Sequence, residues 1–581
     1  MTRRKLTCNY GRVVLRCVVL ILAAFGSPVP YALAASCSVL HHNPPDDAGK
    51  ALLAADYDKA IALYQARLAQ HPGDPEATAG LVHALLRQQK VQEATETVKA
   101  SLAIAPNSVE LSILRGEVEF RQGMPWDAAE TANASVKLDP CNPRAHLLIA
   151  KVARINSLYA TARAQTVLAH KLDPEDPEIR EEWIGTLPLR QRITEIEAYL
   201  ATPAGNDADD IRHWQMYLDG LKKEADEPHK ACHLVSPTTS AEVPFIPLLR
   251  DAVHIRAYGL EVKLNDRSAR LQIDTGAGGL LISRSVAEHA GLKAFSQTEV
   301  SGIGDHGHKA GYTAYADSIR IGNLEFQDCP VRVLDSRNVM DESDGLIGMD
   351  VFSQFLVTLD YPMRKLQLGP LPPRPGESAA ATPSLKTNNA DSSNEDDSTS
   401  APNPSLPAQN GPSSSTPAKA ADSTAQTAKP ASRGPYDRYV APEMKNYTAV
   451  YRVGHDLILP ASLNSKTMKL FIMDTGAWST TISPQAAREV TKLHSDDTKV
   501  RGLSGEVDKV YTTGDITFRF ANLSQKADGV YAFDTSHVSK STGMEISGFI
   551  GAATLKLLTI HIDYRDGLVK FDYDPNRGYR N

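Results

Sequence analysis

The chain has 581 residues, 42% of them hydrophobic and 23% charged, with a formal net charge of −7. That length exceeds what one hydrophobic core supports, so three or four domains are expected. The mildly acidic balance, with no basic stripe and no basic–aromatic interleaving, gives no case for a nucleic-acid partner.

The first predicted element is an export signal over residues 1–34. Arg3, Arg4, Lys5 and Arg12 give a positive start, Cys17 to Phe25 a short apolar run, and Ala32-Leu33-Ala34 a small-residue cleavage site. The run is short for a bilayer span; the alternative is an uncleaved anchor. Ala34-Ala35-Ser36-Cys37 loosely resembles a bacterial lipoprotein box, with Ala34 where Leu is expected. Membrane attachment therefore depends on whether Cys37 is lipidated. The expected location is periplasmic, secreted or associated with the cell envelope. There Cys37, Cys141, Cys232 and Cys329 could form disulfides in any of three pairings or stay as isolated thiols.

Residues 46–230 read as helical repeats. Pro72, Pro106, Pro140 and Pro174 are 34 residues apart, and Ala60, Ala94, Ala128 and Ala162 keep the same period. Small residues let the two helices of a hairpin approach closely, and the proline turns the chain into the next hairpin. The pattern resembles tetratricopeptide repeats, with Gly116 and Ala150 at the family's small position and Val82 and Ala48 departing from it. Asp209 to Ala225 reads as a closing helix. Such a solenoid implies either a protein or peptide ligand or a spacer and dimerisation surface. A proline-bearing linker over about 236–250 follows.

Two segments, 243–370 and 437–576, repeat one pattern around a Ser/Pro/Ala-rich stretch at 371–436. That stretch has too few large apolar residues to offset its ordering entropy and is expected to be disordered. Asp274-Thr275-Gly276-Ala277 matches Asp474-Thr475-Gly476-Ala477 at an offset of 200, as do Ser283 with Ser483 and Gly302 with Gly502. The offset becomes 203 for Gly345-Leu346-Ile347-Gly348 against Gly548-Phe549-Ile550-Gly551, and for Asp360-Tyr361 against Asp563-Tyr564. Alternation at Leu260, Val262, Leu264 and at Ala269, Leu271, Ile273, about an Asn265-Asp266 turn, predicts a hairpin whose return strand delivers Asp274 to a loop.

These motifs together resemble retropepsin-like aspartic peptidases of the bacterial branch. The fold class so implied is multidomain: an α-helical solenoid, then two mainly-β acid-protease units forming a pseudo-two-fold pair. The resemblance implies Asp274 and Asp474 as the catalytic pair, sharing one proton while a water attacks the scissile carbonyl. It also implies that Thr275 and Thr475 cross-link the active loops, and that the Gly276 and Gly476 amides steady the carboxylates. Ala277 and Ala477 lack the hydroxyl of Ser-bearing relatives, which predicts a less acidic pH optimum. Gly302, Gly304, Gly502 and Gly505 are expected at hairpin tips that close over a peptide.

His306 and His308 lack further ligands at suitable spacing, so no metal and no cofactor is expected. Trp478, opposite Gly278, is expected either to shape the cleft or to pack in the core; Asp360 and Asp563 are expected to be structural. Function is expected to be peptide-bond hydrolysis by units paired in cis. Two alternatives stay open: a peptidase active only as a homodimer, and a non-catalytic peptide-binding scaffold.

Overall fold

The computed structural model describes residues 37–249, 251, 254–305, 307–336, 343–374 and 438–576. The export signal, residues 375–436 of the expected disordered stretch, and His306 lie outside the described residues. The chain divides into two units, Met1–Leu40 and His41–Asn581. Residues 37–40 of the first carry no regular structure, and everything below belongs to the second.

The helices obey the 34-residue period because their caps do. Asp74, Asn142 and Asp176 accept from first-turn amides of Pro75–Arg87, Pro143–Ile155 and Pro177–Ile184, and Ser108 does so for Val109–Arg121. Pro75, Pro143 and Pro177 take the first helical position, where a missing N–H loses nothing. The second helices of the hairpins are Tyr57–Gln70, Val91–Ile104, Pro125–Leu138 and Tyr159–Leu172. On them Ala60, Ala94, Ala128 and Ala162 are buried, so the helix axes meet over a methyl.

The proline period ends near residue 185, yet one more helix, Leu189–Ala201, follows before the closing helix Ala208–Asp226. The position 34 residues after Pro174 is Ala208, so the marker fails there. No helix among the described residues is long and apolar enough to cross a membrane.

The β region holds two lobes. In lobe 1, Arg267–Asp274 pairs with Ile255–Leu264 on one side and with Gly345–Gly348 on the other, and Leu324–Leu334 pairs with both Leu280–Ser283 and Lys309–Ile321. The latter pairing closes the sheet on itself. Asn265 and Asp266, both at positive φ (45° and 67°), make the expected turn. Lobe 2 repeats the plan, with Thr467–Met473 between Asp456–Leu463 and Gly548–Ile550.

In each lobe the short Gly-bounded strand runs parallel to the strand bearing the Asp, Gly348 opposite Asp274 and Ile550 opposite Met473. Gly345 and Gly548 are there because a Cβ would meet the carbonyl oxygens of Leu281 and Thr481 respectively.

A third sheet joins the lobes. Its six strands run Thr448–Ala449, Leu568–Asp572, Thr559–Asp563, Phe355–Asp360, Lys365–Pro370, Ala241–Pro244. At its centre Thr358 faces His561, two positions related by the 203-residue offset, so the pseudo-two-fold axis passes between them. Leu359, Val357, Ile560 and Ile562 bury their side chains in one core shared by both lobes.

The expected linker at 236–250 is corrected here. Ala241–Pro244 is the edge strand of this sheet and Ile246–Leu249 pairs with Ile255–Leu264. Ala241 and Val243 alternate inward while Pro244 sits at an edge, where a missing donor is tolerated. Cys232 and Cys329 form a disulfide beside the strand His233–Leu234.

The repeats do not stand apart from the lobes. Phe120, Leu148, Ile149, Val152 and Ile155, all on first helices of their hairpins, share an apolar cluster with Ile458, Leu470, Phe533 and Ile546 of lobe 2. The Glu545 amide donates to the Arg121 carbonyl at 2.9 Å. Part of the repeat surface is thus covered by the chain's own lobe.

Candidate active site

The two active loops meet on the axis. The Thr275 amide donates to Thr475 Oγ1 at 3.0 Å, and the Thr475 amide to Thr275 Oγ1 at 3.0 Å. Each hydroxyl then donates across the axis, Thr275 to the Met473 carbonyl at 2.6 Å and Thr475 to the Ile273 carbonyl at 3.1 Å. Both threonines are buried, so these four bonds form away from water, where an orphaned partner costs about 1–3 kcal/mol. Tyr361, also buried, lines the same small cavity as Thr475.

This grip presses Asp274 and Asp474 against each other, within hydrogen-bonding reach. A Cβ on Gly476 would lie 2.4 Å from Asp274 Oδ2, so each loop's glycine makes room for the opposite carboxylate. Support from the backbone is unequal. Asp474 Oδ1 accepts from the Gly476 amide at 2.8 Å and the Ala477 amide at 2.9 Å. Asp274 Oδ1 accepts from the Gly276 amide at 2.9 Å, while the Ala277 amide turns to the Asp274 main-chain oxygen.

Burial pushes Asp274 well above the ordinary carboxylate value, and the adjacent Asp474 charge adds to this. Burial raises Asp474 too, but the amides of Ala477 and Gly476 and the hydrogen bond from Asp274 oppose it. Burial and mutual repulsion thus disfavour two charges at once, and the second amide favours the ionised form more at Asp474 than at Asp274.

The expected hairpin tips form two flaps. Ala294–Val300 and Lys309–Ile321 flank the first, and Arg501–Gly502 pairs with Gly505–Glu506 at the second. The tips are bonded together: the Gly302 amide donates to Ser504 Oγ at 3.0 Å and the Ser504 amide to the Ile303 carbonyl at 2.9 Å. Gly304 lies against the Gly505 backbone, too close for a Cβ. Ile303 packs against the apolar cluster that includes Ile472 and Phe549 of lobe 2, and Leu503 against the cluster that includes Leu281 and Leu346 of lobe 1. Each flap thus rests an apolar tip on the opposite lobe.

Ile303 and Leu503 are functional candidates that sequence reasoning passed over. Their signal is an apolar pair at the 200-residue offset between flap glycines. His455 and Asp456 are two more. His455 Nε2 lies 3.2 Å from the Gly276 carbonyl, and its ring fills the space that a side chain on Gly278 would need. Burial pushes Asp456 to about 6, with His455 opposing. Lobe 1 has Arg256 and Ala257 at the matching positions, so comparison of the copies hides this pair.

Trp478 is 57% exposed, with Lys556 over its ring at 5.0 Å, so it is not a core residue. Asp360 and Asp563 accept the amides of Met363 and Asp566, closing turns. Among the described residues, metal-ligand chemistry gathers at His213, Glu299 and His308, in neither active loop.

Comparisons with known proteins bear on both halves. Residues 260–351 match a family model described as aspartyl protease, and residues 51–116 one described as tetratricopeptide repeat. Among solved structures, the chain is similar to a thermophilic TPR protein of Thermus thermophilus, at 22% identity over 29% of this chain and 90% of that one, TM-score 0.23. It is also similar to the aspartic proteinase of Irpex lacteus, at 11% identity over 58% of this chain and 99% of that one, TM-score 0.32. No curated protein sequence matches the chain.

Proposed function

We propose that this chain is an exported aspartic endopeptidase of the retropepsin-like type, whose two lobes pair in cis around an Asp274/Asp474 dyad. The observation that carries this reading is the reciprocal threonine grip, which holds the two carboxyl groups together on the pseudo-two-fold axis. The interlobe sheet, built from strands of both lobes of one chain, supports pairing in cis over a homodimeric site.

In this reading a peptide lies between the flaps and the dyad. A water held between the carboxyl groups loses its proton to Asp474 as its oxygen attacks the scissile carbonyl carbon. Asp274 donates its proton to the carbonyl oxygen, giving a neutral gem-diol. Collapse re-forms the C=O bond and breaks the C–N bond, the leaving nitrogen taking a proton from Asp474. The diol hydroxyl proton returns to Asp274, restoring the single shared proton. A binding-only protein would have no use for amides trained on both carboxylates.

Repeats not covered by lobe 2 are the proposed surface for protein substrates or partners. Export rests on the first 34 residues alone.

The test is cleavage of a diverse unfolded-peptide mixture by the mature protein and by Asp274→Asn and Asp474→Asn. Each single substitution is expected to lower kcat by at least about a hundredfold, the scale of acid–base catalysis. Activity surviving in either variant would break the shared-site reading.

A further inference from the structure

We infer that His213, Glu299 and His308 form a divalent transition-metal site that fastens the first flap to the last helix of the repeats. The donor atoms of the three side chains lie within 4.8 Å of one another. They come from three places: His213 from the closing helix Ala208–Asp226, Glu299 from the outgoing flap strand, and His308 from the turn just before the returning strand. His213 Nε2 is 2.9 Å from Glu299 Oε2, and the two imidazole rings meet edge to face with centroids 5.0 Å apart.

Two imidazoles and a carboxylate suit zinc and its neighbours; calcium and magnesium prefer all-oxygen sets. A tetrahedral zinc spaces such donors about 3.3 Å apart, so modest side-chain rotation from the present spacing completes the site. Glu299 would turn Oε2 to the ion, while Oε1 keeps Arg212 Nε at 3.5 Å. The ion would take the place of the direct contact between His213 Nε2 and Glu299 Oε2. His308 is exposed and His213 partly so, which leaves an entry path and room for water as the fourth ligand.

The helix and flap are already docked, so the site is not an accident of two mobile surfaces. Lys223 lies over the Phe295 ring at 5.0 Å, and Tyr315 donates to Glu224 Oε2 at 3.0 Å. His229 stacks on Tyr315 with centroids 3.6 Å apart. These contacts hold the base of the flap, and the metal would add a tether next to its tip. Because that tip is bonded to the second flap, the tether resists opening of both. Slower peptide entry is the consequence, and that consequence alone rests on the peptidase reading.

The experiment uses the full mature chain, first stripped with a chelator. Zn²⁺ is titrated by calorimetry, Co²⁺ by visible absorption, and hydrogen exchange is followed over residues 301–309 with and without Zn²⁺. One equivalent is expected to bind, with slowed exchange at the flap tip. His308→Ala, on an exposed turn, and Glu299→Gln are each expected to weaken binding by at least about tenfold and to remove the slowing. Equal affinity in wild type and both variants, or no binding by wild type at about millimolar metal, would overturn the site. None of these readouts needs catalysis, so loss of the peptidase reading leaves the test intact.

Discussion

Asp274 and Asp474 occupy nearly duplicate loops, yet one receives a single amide donor and the other two. That inequality favours the ionised form more at Asp474, and in the peptidase reading it links catalysis to stability. A carboxyl raised above its unfolded value stabilises the fold below that value, and the contribution is lost as pH rises through the folded value. Asp274 is such a group, its ordinary value being 3.8. Asp274→Asn, which mimics the protonated form, should therefore raise Tm at neutral pH while abolishing cleavage, and the gain should vanish below about pH 4. A lower Tm at neutral pH would contradict the assignment.

The alanines after the active glycines give a second prediction. Ala277→Ser with Ala477→Ser adds a hydroxyl donor beside each carboxylate and should move the acidic limb of kcat/KM to lower pH. An unmoved profile would count against it. The Asp-Thr-Gly loops were readable because the same residues recur at a fixed offset. His455 and Asp456 were not, since their chemistry exists in one copy and their nearness to the dyad depends on strand packing.

Among the elements, the flaps depend most on exchange between lobes. Ile303 and Leu503 each cover apolar surface belonging to the other lobe. Ile303→Asn should cost about 1.5–3 kcal/mol of closure, seen as a tenfold or greater loss in kcat/KM. The pH dependence set by the dyad should stay in place. A changed pH profile with unchanged kcat/KM would show that the tip serves something other than closure.

Helix boundaries of the repeats were legible because caps, prolines and buried alanines share one period. The strands at Ala241–Pro244 and Ile246–Leu249 were not, because prolines dominate the local signal and the partners are distant in sequence. The His213–Glu299–His308 cluster escaped for a related reason: its members are spread over helix, strand and turn.

For the whole molecule, the chief surprise is how much of the repeat surface serves the chain itself. Sequence period identifies a solenoid but carries no record of what lies on its face. Leu148 touches both neighbours, packing under Gly116 of the preceding hairpin and within the cluster shared with lobe 2. Leu148→Ala should destabilise by about 2–5 kcal/mol and should loosen the repeats and lobe 2 together. Hydrogen exchange that rises in the repeats alone would argue that the two are energetically independent.

The interlobe sheet makes a stronger claim, that one chain completes one active site. The measurement that tests this most directly mixes Asp274→Asn chains with Asp474→Asn chains and follows peptide cleavage over a range of protein concentration. Pairing in cis predicts that the mixture stays inactive and that wild-type rate is strictly proportional to concentration. Recovered cleavage in the mixture, or a wild-type rate rising faster than concentration, would contradict it and assign the active site to two chains.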